Sequence, residues 1–165
     1  MKFFLAQINP TVGDLEGNAK KIVYAADQAR RCSADILLTP ELSLWGYPAK
    51  DLLLKNNLIE SQYKILDQLS RSIKKEFSNL SILVGVAEKI NDSFFPNLYN
   101  SIVLIEGGEW KPIARKIILP TYEVFDEKRY FRSEDKVSIL TKKVKGKTWK
   151  LGITICEDLW VNENI

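Results

Sequence analysis

The apolar positions of this chain fall into short runs and two longer helical stripes. Residues 3–8 form a brief apolar run closed by Asn9-Pro10, the mark of a buried strand. Over 18–32, apolar residues recur at Ile22, Ala25, Ala26, Ala29 and Cys32, the spacing of one helix face. Ile36-Leu37-Leu38 predicts a second buried strand, stopped by Pro40. A stronger stripe, through Leu58, Ile59, Tyr63, Leu66, Leu69, Ile73 and Phe77, predicts an amphipathic helix over 58–77. Residues 81–87 and 99–105 read as the third and fourth buried strands. Glu106-Gly107-Gly108-Glu109 predicts a hairpin into a fifth, over 110–119. Residues 121–136 are polar and aromatic, a long ordered loop of the kind that carries function. Strands follow over 137–140 and 147–155, joined at Lys145-Gly146-Lys147.

Helices alternate with strands early and hairpins dominate later. That order predicts an α/β protein: a mixed sheet with helices on one face. The nearly continuous apolar runs at 82–86 and 102–105 need cover on both faces. No internal repeat or low-complexity linker interrupts the chain. Residues 160–165 carry no helix stop and no tail-like composition, so the pattern is expected to run on.

Composition narrows the chemistry. The length of 165 residues fits one domain at most, and 45% hydrophobic with 27% charged residues is ordinary for a globular protein. The net charge of +3 is too weak and too scattered for a nucleic-acid partner. The densest basic stretch, Lys142-Lys143-Val144-Lys145-Gly146-Lys147, reads as a solvated hairpin. The N-terminal apolar run is too short for a signal peptide or a membrane span, so no membrane partner is expected. Two cysteines, Cys32 and Cys156, are too few for a disulfide framework and fit a reducing, cytoplasmic setting. Histidine is absent altogether, which disfavours zinc sites and every imidazole-based triad; no metal is expected.

Three segments could carry chemistry without histidine. Glu41, in Thr39-Pro40-Glu41-Leu42, lies just past the carboxyl end of a buried strand, where open α/β sheets place ligand sites. Beside that apolar segment its carboxyl is expected to be partly desolvated and shifted toward a useful base. Taken alone, a surface glutamate at a strand end is the simpler reading. Lys116, in Arg115-Lys116-Ile117-Ile118, points inward as a fixed cation or outward as a surface lysine. Cys156, in Ile155-Cys156-Glu157-Asp158, leaves a strand for a turn, as nucleophiles do, or is a buried structural thiol. Together, a carboxylate, a cation and a thiol at strand ends form a complete set for amide hydrolysis. Cys32, on the apolar side of a helix with no acidic neighbour motif, is expected to pack in the core.

At these residues the chain resembles the nitrilase superfamily, whose signature is a Glu-Lys-Cys triad. More closely it resembles the glutaminase domains of glutamine-dependent NAD synthetases. The likeness runs through Pro40-Glu41-Leu42, Gly46-Tyr47-Pro48, Asp51-Leu52-Leu53, Lys116, Leu119-Pro120, Tyr122, Val124 to Phe131, and Ile155-Cys156-Glu157-Asp158-Leu159-Trp160.

The resemblance implies a nitrilase-like αββα sandwich, incomplete at the C-terminus. Residues 1–165 would be the N-terminal part of a carbon–nitrogen hydrolase domain, with the synthetase domain absent and one apolar sheet face and one long edge left open. It implies hydrolysis of the glutamine side-chain amide through a Cys156 thioester, with Glu41 as base and with Lys116 and the Glu157 N–H stabilising the oxyanion. Glu127 matches a second glutamate that orients lysine and substrate, and Tyr122 a substrate-contacting aromatic. The ammonia would feed amidation of deamido-NAD. No cofactor is implied for the glutaminase step; ATP and Mg belong to the synthetase domain. Implied partners are glutamine, the synthetase domain or remaining half of the protein, and further copies in a homo-oligomer. A free-standing hydrolase of another amide, or an inactive truncated fragment, are the alternatives.

Overall fold

A computed structural model describes residues 1–77, 79–92 and 94–160. The expectation for 161–165 lies outside the described residues. A five-stranded sheet runs in the order β1 (Phe3–Leu5), β2 (Ile36–Leu38), β3 (Ser81–Lys89), β4 (Leu98–Glu106), β5 (Glu109–Arg115). The first three strands are parallel and the last two are added antiparallel, so the sheet is mixed as expected. The crossovers are α1 (Leu15–Arg31) and α2 (Asn56–Glu76).

Both helices pack on one face. Asp14 caps α1 by accepting a hydrogen bond from Gly17 N at 2.9 Å. Ile22, Ala26 and Ala29 of α1 and Ile59, Leu66 and Ile73 of α2 meet Leu37, Ile82, Val84, Val103 and Ile105 from the sheet. The opposite face carries Ile36, Leu83, Ile102, Leu104 and Ala114. A separate hairpin, β6 (Ser138–Val144) and β7 (Lys147–Ile153), lies over it through Leu140, Leu151 and Ile153. The expected open apolar face is therefore covered: Leu83 and Leu104 are buried because the hairpin turns its inward residues onto them.

Three expectations need correction. The first strand ends at Leu5 and is a sheet edge, with Phe3 and Leu5 exposed rather than buried. The fifth ends at Arg115, not Leu119. Cys32 is exposed, because α1 stops at Arg31 and Cys32 is its C-cap, beyond the buried stripe. The basic stretch is a hairpin turn, with Lys145 and Gly146 both at positive φ, as a tight two-residue connection demands. Among the described residues, no helix is long and apolar enough to cross a membrane.

Candidate active site

Every candidate residue meets at one end of the sheet. The chain leaves β2 through Thr39-Pro40 into a turn that carries Glu41. Strand β3 outlasts β2 in their pairing, and this turn occupies the vacated edge. Thr39 N donates to Leu83 O at 3.1 Å, Leu44 N to Gly85 O at 3.1 Å, and Gly85 N to Ser43 Oγ at 3.1 Å. Gly85 is required there: a Cβ on it would stand 2.4 Å from Leu42 N and 2.7 Å from Pro40 O. The turn is held from behind as well. Buried Trp45 donates its indole N–H to Gln62 of α2, and buried Asn18 of α1 donates to Leu44 O at 3.0 Å.

Lys116 follows β5, which runs parallel to β3, so it arrives at the same end. Its side chain is 1% exposed, and its Nζ lies 2.7 Å from Glu41 Oε1 and 2.8 Å from Glu127 Oε1. The inward reading of this lysine is the observed one. Glu127 opens a short 3₁₀ turn, Glu127–Arg129, within the long loop. It also accepts a hydrogen bond from Tyr47 Oη at 2.7 Å. Asn100, near the start of antiparallel β4, donates from Nδ2 to Glu41 Oε1 at 2.6 Å. Its backbone O accepts from Lys116 N at 2.8 Å.

Cys156 follows β7 and opens the 3₁₀ turn Cys156–Leu159. It is exposed and sits at φ 47°, a left-handed conformation that few non-glycine residues adopt and that nucleophile turns share. Asp158 fixes this turn to the lysine segment. Its Oδ2 accepts from Ile155 N at 2.9 Å, and its Oδ1 from Ile118 N at 2.8 Å and Ile117 N at 3.1 Å. At the rim, Tyr122 Oη donates to the Glu157 carboxylate at 3.0 Å. Phe125 packs against both Tyr122 and Tyr47, so an aromatic wall links the rim to buried Glu127. A cavity of about 240 Å³ lies behind this wall, bounded by Leu42, Tyr47, Phe125, Glu127 and Tyr130. Cys156 does not line it, and its sulfur is reached from the surface instead.

The electrostatics separate the roles. Burial pulls Lys116 down, but Glu41 and Glu127 outweigh it and hold the ammonium above its usual range. Burial, then the Glu41 charge, push Glu127 up against its hydrogen bonds from Lys116 and Tyr47. Burial and the bond to Glu127 raise Tyr47, so it stays a phenol. Burial first, then the neighbouring Glu41 carboxylate, push the Cys156 thiol up, with Lys116 opposing. The resting thiol beside Glu41 is thus protonated, an arrangement suited to proton removal during attack rather than before it. Among the described residues no cluster of three His, Cys, Asp or Glu could hold a metal ion.

Sequence reading found Glu41, Lys116, Cys156, Tyr122, Glu127 and Glu157, and the fold gathers all six. It assigned no role to Asn100, Tyr47, Asp158 or Gly85. Tyr47 and Asp158 stand inside the quoted motif stretches without a role of their own, and Gly85 carried a further readable signal: a lone glycine inside an aliphatic strand marks a close backbone approach.

A thiol beside a carboxylate, with a buried lysine between two carboxylates on this sheet, belongs to a known class. Residues 5–165 match the carbon–nitrogen hydrolase family model, and the chain belongs to that family. Its relatives include the glutamine-dependent NAD(+) synthetase of Synechocystis sp., 46% identical over 165 residues, covering 96% of this chain and 28% of that protein. The glutamine-dependent NAD(+) synthetase of Thermotoga maritima is 37% identical over 97% of this chain and 26% of its own length. The structure of the Acinetobacter baumannii glutamine-dependent NAD+ synthetase in complex with ADP superposes with a TM-score of 0.82 at 37% identity, over 96% of this chain and 28% of that one. An amidase from Nesterenkonia sp. shares the fold, with a TM-score of 0.72 at 20% identity over 95% of this chain and 56% of that one. The chain thus spans about a quarter of the length of the NAD synthetases it matches.

Proposed function

We propose that this chain carries a glutaminase site that hydrolyses the glutamine side-chain amide and supplies ammonia for NAD synthesis. The observation that carries this reading is the Glu41–Lys116–Glu127 chain of ion pairs, at 2.7 and 2.8 Å, beside a surface thiol with no histidine available. Cys156 Sγ attacks the amide carbon while Glu41 takes the thiol proton. Lys116 Nζ and the backbone N–H of Glu157 donate to the developing oxyanion. Glu41 returns the proton to the departing ammonia, leaving a thioester, and then activates the water that releases glutamate. Glu127, locked by Tyr47, keeps Lys116 aimed, and Tyr122 and Glu157 flank the approach to sulfur.

The names of the relatives support glutamine as the amide and NAD synthesis as the destination. ATP-dependent amidation of deamido-NAD, with its Mg, would belong to a separate synthetase unit working with this one. The test is ammonia release from glutamine, from small aliphatic amides and from nitriles, with the parent and with Cys156→Ala. Glutamine preference abolished by Cys156→Ala is the expected result. Preference for another amide would make this a hydrolase of different substrate, and turnover surviving Cys156→Ala would remove the thioester.

A further inference from the structure

Two donors converge on a single oxygen of Glu41. Asn100 Nδ2 reaches Oε1 at 2.6 Å and Lys116 Nζ reaches the same atom at 2.7 Å. Oε2 takes neither of these donors, and the Cys156 thiol bears on the same carboxyl group. Asn100 is 1% exposed, so its amide has little freedom. Its orientation is set by charge, because reversal would place Oδ1 against a carboxylate oxygen. The same residue receives the Lys116 N–H on its backbone, so one position near the start of β4 registers both members of the ion pair. This arrangement has a cost. Asn100 Oδ1 is enclosed with no hydrogen-bond partner among the described residues, which is unfavourable for a buried polar group. A residue kept for packing alone would be apolar here.

Within the thiol–carboxylate reading above, we infer that Asn100 is a positioning residue. With Lys116 it holds Oε1 of Glu41 and thereby presents Oε2 to the Cys156 thiol as the proton acceptor. The titratable groups facing Glu41 are Lys116, Glu127, Tyr47 and Cys156. Of these, Lys116 alone makes a hydrogen bond to Oε1 among the described residues, and it already sits beside the amide there.

The test uses a Cys32→Ser background, so that alkylation reports Cys156 alone. Two readouts are followed against pH: the rate of iodoacetamide alkylation, and kcat and KM for ammonia release from glutamine. Asn100→Ala frees the carboxylate. It should lower kcat ~tenfold or more with KM held within about twofold. Its alkylation midpoint should fall, because Oε2 no longer bears on the thiol. Asn100→Asp keeps the shape but sets a second negative charge beside Glu41 and near the thiol. It should raise the midpoint by about 1 pH unit or more. Opposite shifts in the two variants support the assignment.

A folded Asn100→Ala that loses only thermal stability, with kcat and midpoint unchanged, overturns it. So does a folded Asn100→Asp with an unmoved midpoint; if that variant does not fold, Asn100→Ala decides alone. Should the parent release no ammonia from glutamine, the substrate assignment fails while the alkylation midpoints still decide the role of Asn100.

Discussion

Replacing Gly85 by alanine should push the Glu41 turn off strand β3. The new Cβ would stand 2.4 Å from Leu42 N, and ordinary contact begins at 3.4 Å, so turn and strand must separate by 3.4 − 2.4 = 1.0 Å. All three of the nearest atoms are backbone, so no side chain can swing aside. Two hydrogen bonds cross this seam, Leu44 N to Gly85 O and Gly85 N to Ser43 Oγ, each already 3.1 Å long. Separation by that much breaks both, at about 1 kcal/mol each. Overpacking adds about 1–3 kcal/mol. A stability loss of about 3–5 kcal/mol follows from these principles combined. The effect on turnover is sharper. Glu41 is part of the clash, its backbone C 2.9 Å from the new Cβ, and a displacement near 1 Å costs on the order of 100-fold in rate. Urea unfolding and kcat/KM for glutamine measure the two effects. Gly152→Ala is the control, because a Cβ there meets nothing within 4 Å. A Gly85→Ala protein that matches the parent in both stability and kcat/KM would refute the claim that this glycine seats the turn.

Asp158→Ala leaves the N–H groups of Ile155, Ile117 and Ile118 without their acceptor. Water recovers part of the loss at this half-exposed site, so a destabilisation of about 2 kcal/mol is expected in urea titration; an unchanged midpoint would contradict the strap. Glu127→Gln should melt higher than the parent at pH 7. The carboxyl of Glu127 is raised in the folded state, so its stabilising contribution is full below the unfolded value near 4.5 and is lost as pH rises through the folded value. The gap should therefore close toward pH 4.5, and a pH-independent gap would show that Glu127 carries no such strain. Both cysteines are exposed, so iodoacetamide should label both, whereas an electrophilic glutamine analogue should label Cys156 alone. Equal labelling by the analogue, read by mass spectrometry, would count against a glutamine site at Cys156.

The two helices were legible because each buries a periodic face, and the inner strands because both of their faces are buried and read as continuous apolar runs. The ends of elements were not. Ile117-Ile118-Leu119 continues the apolar pattern of β5, yet the N–H groups of Ile117 and Ile118 go to Asp158, about forty residues later, instead of to a strand. No local pattern encodes that capture. Cys32 fits the helical stripe but lies one residue past the last turn of α1. Glu41, Lys116 and Cys156 were found because their residue types stand at strand ends in the right chemical combination. Asn100 was invisible, since an asparagine inside a strand announces nothing until Glu41 is placed against it.

The strap made by Asp158 has a consequence for how such a site can change. Residues 121–126 hang between two anchored posts. On one side stands the lysine segment, tied to the Cys156 turn. On the other stands Glu127, whose N–H bonds Pro120 O at 3.1 Å and whose carboxylate is fixed by Lys116 and Tyr47. The span between carries the exposed Tyr122 and Val124, and both of its ends are clamped independently of what it contains. Such a segment can be exchanged by substitution or grafting while Glu41, Lys116 and Cys156 keep their places. Selectivity toward one amide or another can therefore drift through six residues, with the reaction itself held constant by the posts.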